Sequence, residues 1–357
     1  MVAVAAVVGL ITSVAACATA TILLRRLGVM DVPNTRSSHA WPIVRGVGIG
    51  TAFGCAAGLL TAGSLASTTW PWRSAATLVL GSLGAGAIGL VDDLRGGTSF
   101  KIRLGGQVGV ASAAALLLGA GDVPSAWRAV VLVVGAVWIV GYVNAFNFMD
   151  GINGISGVSA CVAGATFAVV GGLESLPMLE AGGAALAAAS LGFLPFNFPA
   201  ARAFLGDVGS YFLGAWIALL AYLAAINGVH LAAVAAPLVL YLVDVGFTLV
   251  TRLLRGEQWH AAHRDHTYQR LAAGGLGHTA TTLMVLTTTV ALAALGLASM
   301  QAPGWRAVIW PAGIALLGAY LAAPWLLGRR HGSQSARAGG GAPTLGLQPD
   351  HRGPGPS

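Results

Sequence analysis

The sequence predicts an all-α, polytopic integral membrane protein of about eleven transmembrane helices, each long enough to cross a bilayer. Three observations carry that expectation. Hydrophobic residues make up 56% of the 357 and charged residues only 9%, whereas soluble domains carry roughly 25% charged residues. Apolar runs of about 20 residues, the length of a bilayer-spanning helix, recur along most of the chain. Strand-like alternation is absent, and Ala, Leu, Val and Gly dominate.

Spans are expected at 2–24, 46–66, 74–91, 104–120, 129–146, 155–173, 178–197, 208–227, 230–251, 278–300 and 306–327. The first, opening "MVAVAAVVGL", lacks a basic leader and carries Arg25 and Arg26 after its apolar run. It therefore reads as a span and not as a signal peptide. Gly50, Gly54 and Gly58 give the second span a GxxxGxxxG face, suited to close helix packing. The third runs into "GLVDDLRGG" and the fifth into "NAFNFMDGINGISG", where Gly151 and Gly154 break the helix before the sixth begins. "FLGDVGS" opens the eighth, and the ninth carries Asp244 in apolar surroundings. Residues 1–330 then form one transmembrane domain. Residues 331–357, which include "SQSARAGGGAPTLGLQPDHRGPGPS", are expected to be a disordered tail because they hold too little apolar surface to order themselves. Cys17, Cys55 and Cys161 lie in apolar spans without CxxC spacing, so neither a disulfide nor a metal site is expected of them.

Basic residues orient the spans. With the N-terminus outside, 16 of the 19 Lys and Arg residues fall on inner segments and only Arg73, Arg128 and Arg306 on outer loops. That asymmetry is the positive-inside pattern of a multi-pass cytoplasmic-membrane protein. The net charge of +7 is thus a topology signal. No compact basic-aromatic patch points to nucleic acid.

The same inner segments hold nearly all the remaining polar chemistry. Asp92 and Asp93 end a helix, where adjacent carboxylates bind Mg²⁺, position a cationic group or accept a proton. Asp207 sits between glycines that leave its carboxylate open, an oxygen ligand suited to a hard cation. Asn144 and Asn147 are three apart, hence on one helix face, which Asp150 continues. His260, His263 and His266 recur at i, i+3 beside Arg264, a surface suited to anionic phosphates; zinc is not expected, since no partner has the required spacing. Arg36, His39 and Arg45 join them from the first inner loop. Each piece alone also fits a plain role: a solvated helix end, a cap, interhelical hydrogen bonds or charge topology. Together, five inner loops supplying these groups beside a bilayer describe a phosphate-handling, Mg²⁺-using site.

In this order, "RSSH", "GLVDDLRG", "NFMDGINGISG", "FLGDVGS" and "HRDHTYQRL" resemble the polyprenyl-phosphate N-acetylhexosamine-1-phosphate transferases, the superfamily that includes WecA and MraY. The resemblance covers roughly residues 25–275. It implies a UDP-N-acetylhexosamine donor, undecaprenyl phosphate as acceptor, UMP as leaving group and Mg²⁺ as cofactor, with Mn²⁺ as a substitute. Carried over by motif, Asp92 and Asp93 would act on the lipid phosphate or help hold metal, and Asp207 would be the principal metal ligand. Asn144, Asn147 and Asp150 would belong to the nucleotide-sugar and catalytic loop, with Asn147 beside the metal. His263, Arg264 and His266, with Arg36, His39 and Arg45, would bind substrate. The multi-histidine run of the MurNAc-pentapeptide branch is missing, and the forms "RSSH" and "HRDHTYQRL" lean towards the O-antigen-initiating group of WecA and WbpL. A homodimer is left open. The chief rival, a transporter or lipid flippase, calls for polar groups at mid-depth on several spans, whereas Asp244 and Glu180 are the main ones present. A CDP-alcohol phosphotransferase would carry an aspartate-glycine-alanine-arginine signature that does not occur as such, and an inactive scaffold would not need the intact loops.

Overall fold

A computed structural model describes residues 1–33, 41–66, 69–257 and 263–338, with side chains to residue 327. Its long elements are α1 (Val2–Arg26), α2 (Ile49–Ser64), α3 (Trp72–Arg95), α4 (Phe100–Leu118), α5 (Ser125–Met149), α6 (Ile155–Leu173), α7 (Pro177–Asn197) and α8 (Gly206–Ile226). The short α9 (Leu231–Ala235) precedes α10 (Val239–Leu254), and α11 (Thr267–Leu271) leads through a π-helical turn into α12 (Gly277–Gln301) and α13 (Arg306–Ala338). Among the described residues the only sheet is a two-residue antiparallel pair, β1 (Met30–Asp31) with β2 (Ile43–Val44). Eight helical stretches are long and apolar enough to cross a membrane. The protein is an all-α, polytopic membrane protein.

All eleven expected spans are helical, and one of them is broken. The 230–251 segment divides into α9 and α10 around Pro237. Proline supplies no amide hydrogen and its ring clashes with the preceding turn, so the helix restarts after it. α13 runs past residue 330, the boundary expected for the domain, to Ala338.

Consecutive long helices run antiparallel. The packing follows small residues. On α2, added side-chain atoms at Gly50, Gly54 and Gly58 would meet Cys17, the Gly9 carbonyl with Ser13, and the Ala5 carbonyl of α1. This is the close packing that the GxxxGxxxG face calls for. α7 covers the same pair and also packs along α6. α8 lies between α3 and α5 and buries 17 of its 21 residues. A helix apolar on every side belongs in the middle of a bundle, and α8 occupies that place. Cys17 and Cys55 are buried and unbridged, and Cys161 is half-buried and also free.

The alternating course of the chain collects the polar loops. The C-terminal ends of α3, α5, α7 and α10 and the N-terminal ends of α4, α6, α8 and α12 share one end of the bundle. Asp92, Asn147, Asp207 and Arg252 all sit there.

Candidate active site

The site is built where α3, α5 and α8 meet, and backbone proximity comes first. A side chain at Gly89 would overlap the Asp207 carbonyl, so only glycine lets α3 approach the start of α8. Gly206 has φ +75, a left-handed conformation that strains residues with a Cβ. A Cβ there would also lie 2.7 Å from the Asp93 carboxylate.

That approach gives Asp93 its task. The amides of Asp207 and Val208 donate to its two oxygens at 3.1 and 3.0 Å. Asp93 thus caps the first turn of α8 from a neighbouring helix, satisfying amides that have no intrahelical acceptor. Arg45 Nε completes its shell at 2.8 Å, and the Asp93 side chain is only 2% exposed. The two acidic neighbours therefore meet different partners. α3 stays regular through Arg95, so adjacent side chains diverge by about 100°. Asp92 turns to α4: it accepts from the Thr98 amide and hydroxyl, and pairs with Arg103 at 2.7 Å.

Asp207 is the more open carboxylate, 20% exposed. Asn147 Nδ2 donates to it at 3.1 Å and to Ser210 Oγ at 2.8 Å, and Arg45 Nη2 lies 3.3 Å away. The Asp92 carboxyl also abuts Asp207. Arg45, which bridges Asp93 and Asp207, titrates above its ordinary value: burial opposes the charge, but Asp207 and Asp93 outweigh it. Five expected site residues, Arg45, Asp92, Asp93, Asn147 and Asp207, thus form one cluster.

The others fall around it. Asn144 turns away from Asp207, donating to Gln107 Oε1 of α4 at 2.7 Å and to the Val140 carbonyl at 2.8 Å. The shared face expected for Asn144 and Asn147 is split between two neighbouring helices, because α4 and α8 flank α5 on different sides. Asp150 follows α5 directly, and burial pushes its carboxyl up to about 6, against hydrogen bonding from Ser156 and the attraction of Arg45. Its loop is fastened on several sides. Asn197 Oδ1 accepts from the Gly154 amide at 2.6 Å, Thr282 donates to the Asn153 carbonyl at 2.7 Å, and Tyr268 donates to the Phe148 carbonyl at 2.9 Å.

On the loop before α11, Arg264 is exposed and His263 half-buried. Burial, with neighbouring His266 and Arg252, keeps the His263 imidazole below its ordinary value. His266, expected at the substrate, is 4% exposed, with Nδ1 3.3 Å from Asp244. Its ring stacks on Phe148 and Tyr268. Arg36, His39 and His260 lie outside the described residues.

Several partners were not foreseen: Thr98, Arg103, Gln107, Ser210 and the amides at the head of α8. Arg103 left a trace in the sequence as a cation eleven residues beyond Asp92, and Ser210 as the last residue of "FLGDVGS". Among the described residues, no three His, Cys, Asp or Glu side chains make a ready metal cage. A cavity of about 900 Å³ lies at the other end of α5 and α8, lined by Val130, Trp138, Tyr222 and Asn227, and holds none of this cluster.

Residues 75–225, which contain the cluster apart from Arg45, match the family described as glycosyl transferase family 4. A probable undecaprenyl-phosphate N-acetylglucosaminyl 1-phosphate transferase of Bacillus subtilis (strain 168) is 28% identical over 273 residues, covering 73% of this chain and 74% of that protein. A decaprenyl-phosphate N-acetylglucosaminephosphotransferase of Mycobacterium tuberculosis is 28% identical over 323 residues, 78% of this chain and 77% of its own. A phospho-N-acetylmuramoyl-pentapeptide-transferase of Lacticaseibacillus paracasei is 35% identical over 103 residues, 29% of this chain and 32% of its own. The chain is a glycosyl-1-phosphate transferase and is similar, along about three quarters of its length, to the polyprenyl-phosphate N-acetylglucosamine-1-phosphate transferases.

Proposed function

We propose that this enzyme transfers N-acetylhexosamine-1-phosphate from a UDP-sugar to undecaprenyl phosphate, releasing UMP. The lipid-pyrophosphate-linked sugar would initiate an O-antigen or related cell-envelope polysaccharide. The observation that carries this reading is the Arg45–Asp93–Asp207–Asn147 cluster, with Asp92 against it, at the bundle end where the polar loops collect. The names of the relatives support the same chemistry. By the distribution of basic residues that end faces the cytoplasm, where UDP-sugars are made.

Phosphoryl transfer asks the protein for alignment and charge neutralisation more than for covalent chemistry. A lipid phosphate oxygen attacks the β-phosphorus of the donor and the bond to UMP breaks, so several negative charges converge. Arg45 stands beside Asp207 to meet them, and exposed Arg264 with His263 stands on the neighbouring loop. Asn147 fixes the Asp207 carboxylate by donating to one of its oxygens. Asp93 and the head of α8 fix the Asp207 backbone.

Mg²⁺ fits this donor set. It is usually held by one or two carboxylates together with substrate phosphates and water, and needs no all-protein cage. Asp207 and the abutting Asp92 offer hard oxygen donors, and two carboxyls in contact favour a divalent cation between them. When bound, Mg²⁺, or Mn²⁺ in its place, would offset phosphate charge in the transition state.

The test is UMP release by detergent-purified protein with Mg²⁺, undecaprenyl phosphate and, in turn, UDP-GlcNAc, UDP-FucNAc, UDP-QuiNAc and UDP-GalNAc. Lipid-dependent UMP from one of them identifies the donor. Silence with all four, in folded protein, removes the reading for these sugars.

A further inference from the structure

One face of α10 is polar although the helix is otherwise apolar. Asp244, Thr248 and Arg252 recur at i, i+4, i+8, and all three are buried. A carboxylate so placed is costly unless donors surround it, and donors do. Asp244 Oδ1 accepts from the Thr267 amide at 2.9 Å and lies 3.3 Å from His266 Nδ1. Its Oδ2 accepts from the Tyr268 amide at 3.3 Å and the Tyr320 hydroxyl at 2.6 Å. Two turns on, Arg252 Nη1 pairs with Glu257 at 2.9 Å and Asp265 at 2.5 Å.

These contacts grip the α10–α11 connection before and after its middle. Arg252 holds Glu257 on the near side and Asp265 on the far side, and Asp244 holds residues 266–268. Between the near-side grip at Glu257 and the far-side grip at Asp265 stand His263 and Arg264. We propose that the Asp244–Arg252 stripe is a positioning device for donor recognition, fixing the backbone that presents His263 and Arg264 to the donor's phosphates. The proposal rests on the reading above that these two residues meet the donor. The plainer alternative is that Asp244 serves only to fasten α13 to α10, and that role runs through Tyr320 alone.

The two are separated by steady-state kinetics in each substrate and by trypsin cleavage after Arg264, using the full-length protein in detergent. Asp244→Asn should raise the KM for the UDP-sugar about tenfold, the effect of weakening hydrogen bonds to a buried charge. The KM for undecaprenyl phosphate should change less than about twofold, and cleavage after Arg264 should accelerate. Tyr320→Phe should leave both readouts near wild type. If Asp244→Asn does not fold, Arg252→Gln carries the test. It releases Glu257 and Asp265, which are partly exposed and can be solvated, and should show the same split.

Equal rises in both KM values, unchanged cleavage, or a Tyr320→Phe effect as large as that of Asp244→Asn would overturn the proposal while leaving the transferase reading intact. A wild type that releases no lipid-dependent UMP would overturn that reading, and the donor role of the stripe with it.

Discussion

At the scale of single residues, the carboxylates divide by what already occupies their oxygens. Both oxygens of Asp93 accept backbone amides, and Asp92 is taken up by Thr98 and Arg103. Asp207 keeps the largest share of exposure among the three. Asp207→Asn is therefore expected to abolish UMP release while gel-filtration profile and melting temperature stay near wild type; substantial turnover would remove Asp207 as the metal ligand. Asp150 makes a different prediction. Its carboxyl titrates near 6 in the folded chain against an ordinary 3.8. The folded state then holds the proton longer, so this group's contribution to stability is full below pH about 4 and is lost as pH rises through about 6. Asp150→Asn, which cannot ionise, should flatten the fall in melting temperature between those pH values; an unchanged pH profile would show that Asp150 does not hold its proton into that range. Residue identities were legible in the sequence because a polar side chain is conspicuous in an apolar chain. Partners were not, because nothing in the spacing says that Asn144 meets α4 while Asn147 meets α8.

Among elements, the decisive contact is α3 on α8. Gly89 is one glycine among 51 in the chain, and its importance is visible only when the Asp207 carbonyl stands against it. Gly89→Ala should push the two helices apart and cut kcat with little loss of helical content; near-normal activity would mean that α8 can shift without cost. Asp93→Ala should lower the melting temperature more than Asp207→Asn does, since it uncaps the first turn of the most buried helix. A lost cap alone costs about 1–2 kcal/mol, and Arg45 loses its partner as well. The helices themselves were readable from apolar run length, and α1 on α2 from glycine spacing. The break at Pro237 was readable in principle, but the apolar run continues through it and masks it. On α10, Asp244 stood out in its apolar span with Arg252 two turns on, but their partners were invisible because they come from a loop and from α13.

Across the whole molecule, function is segregated by end. The polar cluster and its loops occupy one end of the bundle, and the other carries the short connections around Asp122, Glu174 and Asn227. A cysteine placed at Asp122, with the three native cysteines replaced, should react with an impermeant maleimide added to intact cells, and one placed at Arg255 should react only after permeabilisation. The reverse pattern would invert the orientation inferred from 16 of 19 basic residues lying on one side. That inference came from counting charges and needed no fold, which is why the sequence carried it.

The two aspartates of "VDDL" look like a duplicated resource, one able to cover for the other. Their side chains leave α3 in different directions, one towards Arg103 and one towards the head of α8. The duplication is therefore only typographical: each letter spells a separate instruction, and no spare copy of either exists. An asparagine at 92 would leave the α8 cap in place and an asparagine at 93 would leave the Arg103 pair in place, so a second-site revertant of one should never be found at the other.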